Sequence, residues 1–472
     1  MCACGSCSGW LVMKACTCHA TIGGIVGSWV VRRCGLELLF IHQNFPAQFT
    51  HLAPALAAKG HRVTALTMRQ GAPDVWQGVH TVKYTLPRGN TPGIHPWVGD
   101  FESKVIRAEA VFRAALELKA AGYSPDVIVA HPGWGESLFV KDVWPSVRLG
   151  LYCEFFYRAH GADVGFDPEF SVPDPAMSCR ILVKNAHLML QFDAADGALS
   201  PTRWQADGYP EPFRDRIQVV HDGIDTRVVA PRPGIRVKFP GLGGLVLSRQ
   251  DEVITFVNRN LEPGRGYHVL MRALPALLRR RRNAHVLIVG GDGSSYGPAP
   301  KDGSTWKNKF AEEARVQMSG DEWGRVHFLG NVPHAHFVGI LQLSSVHIYL
   351  TYPFVLGWSL IEAMSAGCAI VASATPPVQE VVEQDVTGRL VPFFDQAALV
   401  EQVCDLLERP SERVRLGANA RAKAIAEYDL VTACLPRQMR WVESLAQCRV
   451  GAASPVAAQS SEPPESPTEA FQ

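Results

Sequence analysis

The sequence lacks the features of several large classes of protein. Lys and Arg total 46 against 45 Asp and Glu, a net charge of +1, so the basic excess of a dedicated nucleic-acid-binding protein is missing. The body of the chain has no clean apolar run of about 18 residues, which excludes a protein that spans a membrane several times. No G-x-G-x-x-G follows the first strand, which counts against a dehydrogenase.

What is present is a folding composition, with 47% hydrophobic and 19% charged residues in a chain of 472. At about 150 residues per domain, this length predicts two large domains or three smaller ones. A soluble α/β protein is the expectation.

The twelve cysteines are unevenly distributed, six of them within the first 34 residues. The later six stand in apolar or helical contexts, which predicts buried free thiols. The early group does not repeat the C-x2-C spacing of zinc knuckles, and Lys14 and His19 interrupt the apolar stretch that could form a signal anchor. With those two alternatives kept open, we predict a disordered extension over residues 1–35 and a disordered tail over 450–472.

Buried strands and helices alternate in the first half of the chain. The apolar run 38–42 is followed by a helical spacing that ends at Gly60, and Pro54 within it predicts a kink. Further strands are predicted at 62–67, 126–131 and 148–155, and a helix at 108–121. The alternation predicts a parallel sheet covered by helices on both faces.

The second half repeats this alternation. Strands are predicted at 253–258, 285–291, 326–330, 346–350 and 369–373, and helices at 359–366 and 397–408. The turn-rich stretch 221–234 marks the domain boundary. We therefore predict two Rossmann-like, doubly wound α/β domains that face each other across a cleft, with bounds 36–228 and 229–425, and a helical segment 426–449 that packs back on the first domain.

The strongest candidate site is the strand, loop and helix at 349–373. Gly357 lets a ligand approach the backbone, and the N–H groups of Gly357 and Trp358 at the helix start favour a phosphate. Glu362, one turn further on, could accept hydrogen bonds from two vicinal hydroxyls such as those of ribose. The alternative is a simple exposed acid on a helix.

Three further residues are expected at the same cleft. Arg259 follows a strand and Arg265 lies six residues on, so two guanidinium groups could hold a diphosphate and stabilise its departure. His131 ends a strand of the first half, where it could bind a sugar hydroxyl or handle a proton. Solvent-facing arginines and a backbone-bonded histidine are the alternatives.

In their order and spacing, the motifs resemble the retaining glycosyltransferases of family 4, which have the GT-B fold. The resemblance covers roughly residues 36–445. It rests on the following motifs: HQNFPAQFTHLAPALAAKGHRV, RNLEPGRG, VGGDG, VHFLGNVP, SLIEAMSAGCAIVAS and TPPVQEVVEQDVTGRLV.

The resemblance implies a role for each matching residue on the second half. Arg259 and Arg265 correspond to the basic pair on the donor diphosphate, and Gly357 and Trp358 to the backbone phosphate site. Glu362 corresponds to the second Glu of an E-x7-E motif, which holds the ribose.

Two positions on the sugar and acceptor side depart from the family. His131 matches the first-domain histidine near the donor sugar, but Phe354 stands where the first Glu of the motif contacts that sugar. The Gly-rich first loop is also replaced, at residues 44–47. As a donor-binding residue, Phe354 implies either an unusual donor or a substitute contact.

The resemblance implies a retaining hexosyltransferase that needs no metal and no cofactor beyond its co-substrate, a nucleotide-diphosphate sugar. Expected acceptors are glycans, lipid-linked precursors such as those of polysaccharides, or small molecules, and no nucleic-acid partner is expected. The predicted location is the cytoplasm, with peripheral contact at the inner face of a membrane. The alternatives are a nucleotide-sugar-binding scaffold without catalysis and a nucleotide-sugar epimerase.

Overall fold

Uninterrupted apolar runs form the central strands of two sheets in the computed structural model, which describes residues 35–295 and 297–447. In the first strand, Leu38 and Phe40 pack into one core, and Leu39 and Ile41 pack into another on the opposite face. A strand buried on both faces has no polar side, which explains why its sequence does not alternate. The predicted tail and, apart from Gly35, the predicted extension lie outside the described residues.

The first domain contains an eight-stranded sheet with the order β3-β4-β2-β1-β5-β6-β7-β8, in which β3 alone pairs antiparallel. Its strands are β1 (Glu37–Ile41), β2 (Arg62–Thr67), β3 (Val75–Trp76), β4 (Val79–Lys83), β5 (Val127–Ala130), β6 (Arg148–Tyr152), β7 (Gly197–Ser200) and β8 (Ile217–Val219). Its helices are α1 (Leu52–Ala58), α2 (Gly99–Ala120), α3 (Val140–Val143), α4 (Met177–Ala194), α5 (Arg203–Asp207) and α6 (Glu211–Arg214).

The second domain contains a parallel six-stranded sheet with the order β13-β12-β11-β14-β15-β16 and an antiparallel hairpin, β9–β10. Its strands are β9 (Arg236–Phe239), β10 (Leu245–Ser248), β11 (Val253–Asn260), β12 (His285–Gly291), β13 (Val326–Gly330), β14 (Val346–Tyr349), β15 (Ala369–Ser373) and β16 (Arg389–Val391). The helices from here on are α7 (Tyr267–Arg280), α8 (Trp306–Arg315), α9 (Gly320–Trp323), α10 (His334–Leu343), α11 (Trp358–Ser365), α12 (Pro376–Gln379), α13 (Gln396–Glu408), α14 (Pro410–Tyr428) and α15 (Leu435–Gln447). Within the described ranges, no helix has both the length and the apolar character needed to cross a membrane.

The kink predicted at Pro54 is wrong. Helix α1 begins only at Leu52, after a separate 3-10 turn at Ala47–Phe49. Pro54 is therefore the third residue of the helix, where a backbone N–H has no partner within the helix in any case.

The prediction of buried thiols is also wrong at one position. Cys153, Cys368, Cys404 and Cys434 are buried and free, but Cys179 is exposed on α4. Cys448 lies outside the described residues.

The end of the described chain returns to the first domain. A π-turn at Leu430–Cys434 leads from α14 into α15, which packs against β5 and β6. Trp441 and Leu445 lie over Gly150 and Gly197, where an added Cβ would come within 2.7 and 2.9 Å of Leu445. These glycines allow the helix to approach the sheet so closely.

A long connection between β6 and α4, residues 158–176 and here called the arm, reaches the second domain. Phe166 stacks on Phe394 with ring centroids 5.3 Å apart. Phe170 meets His268 edge-on at 5.2 Å and also contacts Trp306 and Phe310. The arm thus adds aromatic side chains of the first domain to the core of the second.

Candidate active site

A cleft of about 1620 Å³ lies between the carboxyl ends of the two sheets. Ligands of parallel α/β sheets bind at these ends. All the residues that the sequence singled out line this one cleft: His131, Arg259, Arg265, Phe354, Gly357, Trp358 and Glu362.

His131 follows β5 and is only 4% exposed. Its Nδ1 accepts the backbone N–H of Gly133 at 3.2 Å, which places the ring proton on Nε2. Nε2 lies 3.4 Å from Oε2 of Glu154 and has no hydrogen-bond partner among residues 35–295 and 297–447. The Nε2 donor of His131 therefore lies beside the carboxylate of Glu154 without a hydrogen bond of good geometry.

Glu154 follows β6, the strand next to β5, and its side chain is 37% exposed. Gln48 donates to its Oε1 at 3.0 Å. Burial opposes ionisation of Glu154, but His131, Gln48 and His42 outweigh it and hold its pKa below the usual value. Sequence reasoning missed this residue, although an acid directly after a buried strand, beside the strand that ends in His131, was an available signal.

His42 follows β1 on the same side of the cleft. Its ring centroid lies 5.3 Å from that of His131, and its Nδ1 accepts the N–H of Asn44 at 2.9 Å. Burial, followed by the nearby His131, lowers the pKa of His42 to about 3. His42 therefore stays neutral at physiological pH.

The two arginines of the predicted diphosphate pair lie in different environments. Arg265 is buried, and its Nη1 donates to Oγ1 of Thr351 and to the carbonyl of Val355, both at 2.9 Å. Arg259, at the end of β11, is exposed. Arg265 is thus a buried cation attached to the loop 351–356, whereas Arg259 lines the cleft as an exposed side chain.

The N–H of Gly357 is not the free phosphate donor that the sequence predicts. It donates instead to the hydroxyl of Tyr349 at 2.8 Å. The phenol thus satisfies one of the backbone donors that the start of α11 leaves open.

Asp222 joins the two domains inside the cleft. It accepts hydrogen bonds from the hydroxyl of Tyr152 on the first domain and from Nε1 of Trp358 on the second, both at 2.7 Å. Burial raises the pKa of Asp222 to about 6, although both hydrogen bonds oppose the shift. The side chain of Trp358 was predicted only as part of a phosphate site, and nothing in the sequence indicated this contact.

Glu362 is buried rather than an exposed helix acid. Its Oε1 bonds Nε2 of His334 at 2.8 Å, and this hydrogen bond raises the pKa of His334. Because α10 starts at His334, two helices fix the direction of this carboxylate.

Phe354 makes an apolar contact between the domains. Its ring lies 4.5 Å from that of Phe155, the residue after Glu154. On its other side, Cζ of Arg265 is 5.8 Å from the ring centroid. Phe354 therefore lies between the buried cation and the first-domain wall.

A group of side chains with the spacing of cation ligands lies where the arm meets α7, outside the cleft. The ligand atoms of Asp167, Glu169 and His268 lie within 4.8 Å of one another. Tyr352 donates to Asp167 at 2.6 Å, and Arg272 bonds both oxygens of Glu169. We interpret this group as a network that ties the arm to the second domain.

Two family profiles match the chain in succession. The profile described as "Glycosyl transferase family 4 group" matches residues 59–229, and the profile described as "Glycosyl transferases group 1" matches residues 245–423. The first match falls on the first domain and the second on the second domain.

Curated relatives match part of the chain. A phosphatidyl-myo-inositol mannosyltransferase of Mycolicibacterium smegmatis is 31% identical over 187 residues, which are 38% of this chain and 42% of that protein. A D-inositol 3-phosphate glycosyltransferase of Corynebacterium efficiens is 30% identical over 209 residues, with 44% and 46% covered. The chain thus matches less than half the length of either relative.

Solved structures share the fold over nearly the whole chain. Sucrose-phosphate synthase from Thermosynechococcus elongatus superposes with a TM-score of 0.63 at 19% identity, covering 87% of this chain and 100% of that one. Anabaena HepE in complex with UDP and glucose gives 0.59 at 17% identity, with the same coverage. At these identities the likeness is one of fold.

Proposed function

Because this chain belongs to the family 4 glycosyltransferases and has the two-domain GT-B fold, we propose that it transfers a hexose from a nucleotide-diphosphate sugar to an acceptor hydroxyl, with retention of configuration. One observation carries most of the proposal. Arg265 is a buried cation in the interdomain cleft, attached through Thr351 and Val355 to the loop that leads into α11. A buried guanidinium beside a helix start suits a diphosphate.

The second domain holds the nucleotide in this proposal. Arg265, Arg259 and the start of α11 bind the diphosphate and stabilise the charge that builds on it as the bond to the sugar breaks. Glu362, directed by His334, accepts the ribose hydroxyls. The guanidinium groups provide the positive charge, so we propose that neither a resident metal ion nor another cofactor is required.

The first domain presents the acceptor. His131 donates to a sugar oxygen through Nε2, and the acceptor hydroxyl attacks the face from which the diphosphate leaves. The departing phosphate oxygen takes the proton of that hydroxyl, so the new glycosidic bond forms as the old one breaks.

The names of the two curated relatives support a polyhydroxylated acceptor, either free or attached to a lipid. We propose a glycan, lipid-linked or small-molecule acceptor, and a place in the cytoplasm or at the inner face of a membrane. Incubation of a reactive donor with candidate acceptors, with and without vesicles, tests this part.

The donor side is tested by release of free nucleoside diphosphate from a panel of nucleotide sugars, with and without a chelator. We expect slow release by the native chain that persists with the chelator, and a loss of about 100-fold in Arg265→Ala because a preorganised charge on the leaving group is gone. Glu362→Ala should lose donor affinity. Arg113→Ala, which removes an exposed arginine of α2, is the matched control and should keep the native rate.

Native release by Arg265→Ala would contradict the proposal. A nucleotide-sugar-binding scaffold is the second candidate, favoured by the loss of the carboxylate at Phe354. It would bind the nucleotide but transfer nothing to any acceptor. An epimerase would convert the donor sugar without releasing nucleoside diphosphate.

A further inference from the structure

We infer that Glu154 is a carboxylate of the donor-sugar subsite, supplied by the first domain where Phe354 leaves the second domain without one. The inference rests on the proposed function and deepens it. The ligand it implies is a sugar hydroxyl that lies between Glu154 and His131.

The position of Glu154 follows from three contacts, one of which crosses the cleft. Arg265 lies 5.8 Å from the ring of Phe354, and that ring lies 4.5 Å from Phe155. Glu154 directly precedes Phe155 and is 3.4 Å from His131. Glu154 and His131 therefore lie on the first-domain side of the cleft that Arg265 and Phe354 line from the second domain, and we place the sugar of a bound donor between the two sides.

Each carboxylate that lines the cleft holds at least one partner, and Glu154 is the one whose second oxygen lies beside Nε2 of His131. Asp222 accepts two hydrogen bonds and Glu362 bonds His334. The remaining pairs are Asp100 with Lys104, Asp225 with Arg227, and Glu262 with the N–H of Ser295. In Glu154, Gln48 occupies one position on Oε1, and a carboxylate has about four acceptor positions. Its capacity to accept further hydrogen bonds faces the cleft.

Glu154 and His131 together match the bonding of a hydroxyl group. Nε2 of His131 carries the ring proton, because Nδ1 accepts the N–H of Gly133. Within residues 35–295 and 297–447 this Nε2 makes no hydrogen bond of good geometry. Oε2 of Glu154 is an acceptor 3.4 Å away. A hydroxyl oxygen placed near both accepts from the histidine and donates to the carboxylate. The low pKa of Glu154 agrees with an ionised acceptor at neutral pH.

The surroundings hold this carboxylate in place. Gln205 donates to the backbone carbonyl of Glu154, and the packing of Phe155 on Phe354 fixes the following residue. The aromatic contact that replaces the family's first Glu therefore also positions its substitute. Since Glu154 and Arg265 belong to different domains, the donor is held at its sugar by one domain and at its diphosphate by the other.

The test compares binding of nucleotide sugars with binding of the corresponding nucleotides. Titration calorimetry with UDP, GDP, UDP-glucose and GDP-mannose gives, for each pair, the ratio of the two dissociation constants. Glu154→Gln keeps the shape of the side chain and removes its charge. We expect it to weaken the bound nucleotide sugar about 10-fold relative to its nucleotide, the loss typical of one hydrogen bond to a charged group.

Two variants guard against a structural explanation. Glu117→Gln makes the same change on the exposed side of α2 and should leave the ratio unchanged. Phe354→Glu in the Glu154→Gln background returns a carboxylate to the second-domain side and should recover part of the lost affinity. If Glu154→Gln lost affinity only because it folds poorly, this second change would not restore it.

An unchanged ratio in Glu154→Gln would overturn the inference, as would equal weakening of nucleotide and nucleotide sugar. Either result leaves nucleotide binding in place, and with it the proposed function. Failure of the native chain to bind any of the four compounds, together with no release of nucleoside diphosphate from any member of the donor panel, would overturn the proposed function, and the inference would fall with it.

Discussion

At the scale of single residues, the groups around each histidine of the cleft determine its hydrogen-bonding role. Each of His42 and His131 accepts a backbone N–H at Nδ1. His334 instead bonds a carboxylate, which favours its charged form. His42 thus serves as a neutral hydrogen-bonding group, and His334 directs Glu362.

The low pKa of His42 predicts a loss of stability in acid. Between its unfolded value near 6.5 and about 3, the unfolded chain binds a proton that the folded chain does not, so stability falls as the pH falls. At pH 5 this single group should cost about 2 kcal/mol relative to pH 7.5. In His42→Asn, which keeps an acceptor for Asn44, denaturant unfolding should show a correspondingly smaller difference between the two pH values.

His95→Asn is the control for this experiment, because His95 is exposed and also accepts an N–H from two residues on. It should keep the native pH dependence. If the difference in stability between pH 5 and pH 7.5 were the same in His42→Asn as in the native chain, His42 would titrate normally in the folded chain.

At the scale of elements, the arm connects two cores that the strand pattern treats as separate. Phe170 reaches the second domain between α7 and α8, next to the ion pair of Arg272 with Glu169, and Phe166 packs against Phe394. Because side chains of the arm pack into the core of the second domain, we expect the arm to stabilise both domains.

Phe170→Ala should therefore destabilise the chain by about 2 kcal/mol, less than a fully buried Phe would cost because Phe170 is only partly buried. We also expect proteases to cleave within 158–176 sooner. Val172→Ala shortens an exposed side chain of the same arm, 79% accessible, and should change neither. If both variants behave like the native chain, the arm is not anchored by its aromatic contacts.

The strands and the grouping of the site residues could be predicted because both depend on local sequence. Apolar runs mark strands buried on both faces, and residues after parallel strands meet at one edge. The arm could not be predicted, since its Gly-, Pro- and Asp-rich sequence has no period. The bond from Gly357 to Tyr349 and the contact of Trp358 with Asp222 depend on distances that only the folded chain sets.

At the scale of the whole molecule, the chain crosses between the domains twice, and the crossings meet. Ile224 on the first lies opposite Asp429 on the second. Its N–H donates to the carbonyl of Tyr428 and its carbonyl accepts the N–H of Leu430, both at 2.9 Å. Helix α15 then seals one face of the first sheet. The two domains are therefore joined by paired segments rather than by one linker.

Gly150→Ala tests this closure. The new Cβ would lie 2.7 Å from Leu445 and 2.8 Å from Trp441, so α15 must shift, at a cost of about 1–3 kcal/mol. Hydrogen exchange should accelerate in α15 while α7 keeps its native rate. Gly71→Ala, where the added Cβ meets nothing within 4 Å, should leave hydrogen exchange unchanged. If α15 of Gly150→Ala exchanged at the native rate, the close packing of α15 on the sheet would be refuted.

The return of α15 has a consequence for how the protein is made. Trp441, Val442 and Leu445 belong to the same core as Leu38 and Phe40, so the first domain to leave the ribosome lacks part of its own interior. About 225 residues follow it before α15 is complete, which takes on the order of 10 to 45 s at typical rates of synthesis. During that time the newborn first domain exposes an apolar sheet face, and we expect chaperones to occupy the surface that α15 later covers.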